Sequence, residues 1–257
     1  MTSRLHQLSN IDEIINKDEK ILHQLFDRTV TGVGENLVVK SGKLRSHEAQ
    51  TLRFIAENTT IPVPNVYDVR WEDGQVVAIT MDYMSGKRLD EAWETLDPDQ
   101  KLSIAKELHS YINQLRDLKG DYIGAVNPGK TVTGRAVAVE GGPFDTEQQF
   151  NESLLGRIIR QAPDLLRHYA RHALSENHEI VFTHSDIAPE KFLVEGGRIA
   201  AILDWEDAGW YPEYWEYTRA FRYFRPMPDW PEYLTHILPP KFEREYIGMA
   251  FLNRISY

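Results

Sequence analysis

Lys40, Glu48, Asp186 and Asp204 are the residues of this chain whose types and order suit phosphoryl transfer. Lys40 ends the apolar run "LVVK", and Glu48 lies in the next segment, "SHEAQTLRFIAENT". Asp186 follows the apolar run "EIVFTH" within "HSDIAPEKFLV", residues 184–194, and Asp204 closes another in "ILDWE". Phosphoryl transfer uses a lysine on the α- and β-phosphates and a glutamate that orients it. It also uses one carboxylate that positions the attacking hydroxyl and another that holds magnesium. Singly, each residue has a plainer reading: a solvated strand-end lysine, a surface helix charge, two turn or cap aspartates. Their joint order favours a site.

Other constellations carry less. His168 and His172 have the i, i+4 spacing of a helical zinc pair, but no third ligand accompanies them, so an exposed helix face is the better reading. "HEAQT" starts like a zinc-protease helix and lacks the second histidine. His184, Ser185 and Asp186 are adjacent in sequence, whereas a triad requires convergence in space. Trp205, Trp210, Tyr211, Tyr214, Trp215 and Tyr217 read mostly as packing, with one or two facing a cleft.

The elements that must position these residues follow from pattern. Ile11, Ile14, Ile15, Ile21, Leu22, Leu25 and Phe26 form an uneven helical stripe over residues 11–26. "ENLVVKSG" reads as β ending in a turn. The segment from Ser46 reads as a helix, with Ser46 as N-cap and Leu52, Ile55 and Ala56 inward. "IPVP" is extended because proline removes donors and restricts its neighbours. "QVVAITMDYM" is a buried strand running into "SGKRLD", where Gly86 permits a change of direction. Further on, Asp97, Pro98 and Gln100 make a capping box ahead of a helix whose apolar face is Leu102, Ala105, Leu108, Ile112 and Leu115. Thr146 and Gln149 repeat the box before "FNESLLGRIIRQ". Glu195-Gly196-Gly197-Arg198 predicts a tight hairpin between "KFLV" and "RIAAILDW". The expected order is an α+β, bilobal arrangement: a small β-rich lobe over residues 1–84, a connector near 81–87, and a larger helical lobe over 85–257. The cleft between them is the natural ligand site.

Composition bounds the partners. The 257 residues are 42% hydrophobic and 26% charged, an ordinary globular mixture. A net charge of −10 argues against nucleic acid or an anionic membrane as the main partner. Without cysteine there is no disulfide, thiolate nucleophile or thiolate metal site. The N-terminal stretch lacks a signal-peptide core and no segment reaches membrane-spanning length, so the expectation is a soluble cytoplasmic protein.

The motifs together resemble the aminoglycoside phosphotransferase/choline kinase branch of the protein-kinase-like fold, most like its small fungal members. "HSDIAPEKFLV" resembles that family's HGDLxxxNxLV loop. "ILDWEDAGWYPEYWEY" resembles its I-D-W-E segment, and "VVK", "HEA", "IPVP", "MDYMSG" and "GPFDTEQQFN" fall in the matching order across nearly the whole chain. The resemblance implies ATP and Mg²⁺ as cofactors and a small-molecule substrate. It implies Lys40 on the phosphates, Glu48 paired to Lys40, and backbone groups of Asp82, Tyr83 and Met84 at the adenine. Asp186 is then the base or hydroxyl-positioning residue, Asp204 the metal ligand and His184 a structural loop residue. The phosphate-covering loop is expected in "TVTGVGEN", with only Gly32 and Gly34.

One position departs from the family pattern in kind. Lys191 stands where the family loop has its asparagine. Lysine has no acceptor for a metal. An ammonium about 4 Å from a divalent ion costs roughly 8 kcal/mol at an effective dielectric of about 20. Either Lys191 swings away and leaves one metal on Asp204, or its ammonium sits between Asp186 and Asp204 in place of the metal. The first implies a phosphotransferase acting on a small-molecule hydroxyl or amine. The second makes Lys191 and Asp186 candidate catalytic groups of a non-phosphorylating member: a pseudokinase, or a cleft reused for another small-molecule reaction in fungal secondary metabolism.

Overall fold

The computed structural model describes residues 19–25, 27–132, 140–158, 162–221 and 227–255. Strands β1 (Glu19–Leu25), β2 (Arg28–Val33), β3 (Leu37–Gly42), β4 (Val66–Glu72) and β5 (Gln75–Asp82) form an antiparallel sheet in the order β1-β2-β3-β5-β4. Helix α1 (Glu48–Asn58) follows β3. Lys40 pairs with Val30 on one side and Ile79 on the other, so the lysine sits on a central strand.

Several sequence expectations change here. Ile21, Leu22 and Leu25 belong to edge strand β1, not to a helix, and their side chains are exposed. Pairing with β2 overrides their helix-like spacing. Ile11, Ile14, Ile15 and Phe26 lie outside the described residues. Ser46 is not the cap of α1; His47 holds that position with no side-chain cap, and its ring instead meets the carbonyl of Glu206 at 2.7 Å. Leu52 and Ile55 face inward as expected, but Ala56 is exposed and Ala49 takes the buried place. Gly32 and Gly34 lie at the end of β2 and in its turn to β3, where Gly34 supplies a φ of 61°. The connection at Lys40's end of the sheet joins β1 to β2 through residues 26–27 and contains no glycine.

The chain leaves β5 at Asp82 and reaches β6 (Lys87–Arg88) and the short α2 (Leu89–Ala92). Helix α3 (Pro98–Asp117) begins with the predicted box: Asp97 accepts from the Gln100 N–H, and the Gln100 side chain accepts from the Asp97 N–H. Its inward face is Ile104, Ala105, Leu108, Ile112 and Leu115, while Leu102 is only half-buried. Strands β7 (Thr131–Val132) and β8 (Glu140–Gly141) precede α4 (Glu147–Ile158). There Thr146 caps Gln149, but the Gln149 side chain reaches the Asp145 N–H, so only half of the second box forms. Then come α5 (Asp164–His172), β9 (Ile180–Thr183), β10 (Phe192–Glu195), β11 (Arg198–Ile202), β12 (Gly209–Pro212), α6 (Trp215–Ala220), α7 (Trp230–Ile237) and α8 (Glu243–Ile255).

The β10–β11 hairpin closes through Glu195 opposite Arg198, and Gly196 and Gly197 both take positive φ, 58° and 77°. Two successive positive φ values define the turn that matches strand twist, and glycine adopts them without steric cost. Pro62 of the extended "IPVP" accepts from the Ile202 N–H at 2.9 Å, tying the segment after α1 to β11. The larger core centres on Trp93, Phe150, Trp205, Tyr211, Tyr214 and Trp215, all essentially inaccessible. All six aromatics of the 205–217 run are buried, in keeping with the packing reading. No helix among the described residues is long and apolar enough to cross a membrane.

Candidate functional site

Lys40 lies on the buried face of β3, and its Nζ donates to Glu48 Oε1 at 2.6 Å and to Asp204 Oδ1 at 3.1 Å. Glu48 opens α1, where a helix N-terminus favours a carboxylate, and is 2% exposed. Burial opposes the charge on Lys40, but Glu48 and Asp204 outweigh it and hold the ammonium above its ordinary range.

Asp204 ends the β11 segment in a left-handed conformation, φ 68°, that starts a one-turn 3-10 helix over residues 205–207. Aspartate tolerates this region better than most residues. The turn aims its carboxylate at two lysines: Oδ1 meets Lys40 and Oδ2 meets Lys191. Burial pushes Asp204 up, yet the two ammonium groups outweigh it and hold the carboxyl well below the usual range. Lys191 also approaches Asp186 Oδ2 at 3.4 Å. Its backbone joins the two loops, since its carbonyl accepts from the Leu203 N–H at 2.8 Å. Lys191 therefore bridges the two aspartates.

A second group of residues holds the loop itself. Glu216 of α6 accepts from the N–H groups of His184 and Ser185 at 2.7 and 2.9 Å. Arg219 donates to the Ser185 carbonyl at 2.9 Å and pairs with Asp207 at 3.4 Å. These bonds fix Ser185 at a φ of 69°, a conformation that glycine adopts more readily. His184 is fully buried, and burial holds its imidazole below the ordinary value. Its Nε2 faces the Leu203 carbonyl at 3.0 Å and its Nδ1 accepts from the Asp186 N–H at 3.2 Å. Both ring nitrogens are engaged with backbone, which suits a neutral structural residue. Burial pushes Glu216 up to about 7, against the His184 N–H and Arg116, and pushes Asp207 up to about 6, with Arg219 opposing.

The sheet and the helical part meet over this site. Arg28 donates to both oxygens of Glu206 at 2.5 Å, Arg45 pairs with Glu140 at 2.7 Å, and Asn127 donates to Gln50 at 2.8 Å. Arg28, Glu206, Asp207, Glu216 and Arg219 escape sequence reasoning. Their partners lie up to 178 residues away, so no spacing marks them; only the acidic "DWED" run hints at Glu206 and Asp207.

At the connector, the Asp82 N–H already donates to the Asn65 carbonyl and the Tyr83 N–H to the Asn36 carbonyl. The Asp82 carboxylate accepts from Asn65 and the Tyr67 hydroxyl. Of Asp82, Tyr83 and Met84, Met84 is the one for whose N–H the structure records no protein acceptor among the described residues.

The residues do not fit a magnesium ion as they stand. Magnesium takes carboxylate oxygens at about 2.0–2.1 Å in near-octahedral geometry. Here each Asp204 oxygen faces an ammonium, and Lys191 stands between Asp204 and Asp186. Among the described residues no group of three or more His, Asp and Glu side chains is arranged to hold a metal. His168 and His172 lie on the exposed face of α5, the His172 ring bonding the His168 carbonyl, as the plainer reading had it.

A small antiparallel sheet bearing a lysine–glutamate pair, joined to a helical part bearing two loop aspartates, defines a kinase-like phosphotransferase scaffold. The chain belongs to the phosphotransferase enzyme family (APH), whose model matches residues 28–238. No curated protein sequence matches it. Among solved structures it is similar to the GDP and kanamycin complex of an aminoglycoside phosphotransferase, APH(2")-IIIa, at a TM-score of 0.65 and 14% identity; the match covers 100% of this chain and 90% of that one. The streptomycin–ATP ternary complex of APH(2")-IIa matches with a TM-score of 0.59 and 12% identity over 99% and 96% of the two chains. APH(4)-Ia gives a TM-score of 0.57 and 13% identity over 99% and 98%. At these identities the likeness establishes the fold.

Proposed function

We propose that this protein is a nucleotide-dependent phosphotransferase acting on a hydroxyl or amine of a small molecule, with ATP as donor. The observation that carries this reading is the convergence of Lys40, Glu48, Asp186 and Asp204, from four separate segments, where the sheet meets the helical part. Neighbours of the same fold are complexes with ATP or GDP and an aminoglycoside, which supports a nucleotide and a small acceptor in the same cleft. We divide the chain at residues 84/85, so that Asp82, Tyr83 and Met84 line the connector. Of these, the Met84 N–H is the donor for the base, because the other two amides are engaged.

The nucleotide supplies the phosphoryl group when bound. Lys40, oriented by Glu48, holds its phosphates. Asp186, fixed through His184, Ser185 and Glu216, accepts a hydrogen bond from the acceptor hydroxyl and orients it for attack. No metal-dependent step is assigned, because Lys191 faces both aspartates.

That same contact favours a second reading, in which the cleft binds a ligand and does not transfer phosphate. Nucleotide turnover over a panel of small hydroxyl and amine compounds separates the two. The phosphotransferase reading expects turnover in the wild type and a loss of about 10²-fold or more in Asp186→Ala. Turnover that is absent in the wild type and emerges in Lys191→Asn assigns the protein to the second reading.

A further inference from the structure

Two ammonium groups share one carboxylate in the cleft. Lys40 meets Asp204 Oδ1 and Lys191 meets Oδ2, while Glu48 and Asp186 take a second contact from each lysine. An ammonium has three N–H donors. Lys40 spends two on Glu48 and Asp204, while Lys191 spends one on Asp204 and stands 3.4 Å from Asp186 as an ion pair, so each has at least one N–H to offer a ligand. Neither side chain is sealed off: they are 11% and 20% exposed. Arg28, the first residue of β2, adds a third cation paired to Glu206, the residue after Trp205.

We propose that Lys191 replaces a divalent metal in this cleft, so that the phosphates of an uncomplexed nucleoside di- or triphosphate are held by Lys40 and Lys191 without a metal ion. This rests on the reading of the cleft as a nucleotide site and deepens it. The lysines are fixed side by side by the carboxylate they share, and a phosphate group presents several acceptor oxygens that can accept from both remaining N–H groups at once. A divalent ion at the same place would have to displace an ammonium from two carboxylates and then sit beside it. The local balance also differs from that of a metal site. Arg28, Lys40 and Lys191 give three positive charges against four negative ones on Glu48, Asp186, Asp204 and Glu206. Most of the attraction that two loop aspartates would offer a metal is already met by the protein's own cations. Magnesium bound to the nucleotide in solution covers phosphate oxygens that the lysines use, so it competes with the site.

The test is calorimetric titration of ADP into the full chain, once with excess EDTA and once with excess Mg²⁺, for wild type and Lys191→Asn. The wild type is expected to bind in EDTA and to bind no more tightly with Mg²⁺. Lys191→Asn is expected to bind about tenfold or more weakly in EDTA and to recover when Mg²⁺ is added. If asparagine does not fold at this position, Lys191→Met keeps the aliphatic stem and is expected to show the same loss in EDTA. Wild-type binding that is tenfold or more tighter with Mg²⁺ overturns the proposal and leaves the nucleotide reading standing. No ADP binding in either condition overturns the nucleotide reading, and this proposal with it.

Discussion

On the cleft side of the loop from His184 to Lys191, charged groups pair with other side chains: Lys191 with Asp186 and Asp204, and Lys40 with Asp204 and Glu48. On its inner side, charged groups also pair with the backbone: Glu216 with two N–H groups, and Arg219 with a carbonyl. The first set is partly open to solvent, with Asp204 27% exposed, while the Arg219 side chain is 2% exposed. Long side chains paired to each other can exchange partners when a ligand arrives. A carboxylate that satisfies buried amides cannot leave without stranding them. The inner set therefore fixes where Asp186 stands, and the outer set decides what it meets.

The sharpest way to break this contrast is Glu216→Ala. It leaves the His184 and Ser185 N–H groups buried without an acceptor. We expect a loss of about 3 kcal/mol or more in denaturant unfolding. Glu216→Gln keeps one of the two acceptor oxygens and sets its NH2 against the other N–H, so it should lose less than alanine but not recover the wild-type stability.

Lys191→Met probes the outer set. Asp204 keeps Lys40, and the pair is partly solvated, so the expected cost at neutral pH is within about 1 kcal/mol. Its signature lies in the acid limb. The folded Asp204 carboxyl is held low, so its stabilisation is present above the unfolded value of about 3.9 and lost as pH falls through the folded value. Removing Lys191 raises the folded value, and acid unfolding should begin at a higher pH.

A third cluster tests whether partner type or burial sets the cost. His178 bonds Glu147 at 2.8 Å through Nδ1 and faces Glu245 at 3.5 Å through Nε2, and both carboxylates are buried. Burial lowers the His178 value, but Glu147 and Glu245 outweigh it and raise it. Its stabilisation is complete below the unfolded value of about 6.5 and lost as pH rises through the folded one. A melting temperature that falls across that window in the wild type, and stays flat in His178→Gln, is the expected result. The smallest effect belongs to Arg28→Ala. The Arg28–Glu206 pair is solvent-accessible enough that about 0.5 kcal/mol, fading at high salt, is expected from unfolding at two ionic strengths.

The sequence discloses what is local. The lysine–glutamate pair, the box at Asp97, the two-glycine hairpin and the loop carrying Asp186 and Lys191 are all written within short stretches, and the structure bears out their local arrangement. Residues whose role depends on distant partners are invisible there. Glu216 reaches back 32 residues to His184, and Glu206 reaches 178 residues to Arg28. β1 misleads for the same reason: its apolar spacing is helix-like, and only pairing with β2 makes it a strand. The glycines of "TVTGVGEN" also mislead, because glycine marks turns of many kinds and this one lies at the far end of the strand from Lys40.

Lys191 occupies the cation position between Asp186 and Asp204. A crystal structure of the wild-type protein grown with ADP and Mn²⁺, read by anomalous scattering, tests this most directly. Lys191 Nζ is expected in contact with both aspartates, with no manganese peak between them. A manganese peak coordinated by Asp204, with Lys191 turned away, would contradict it.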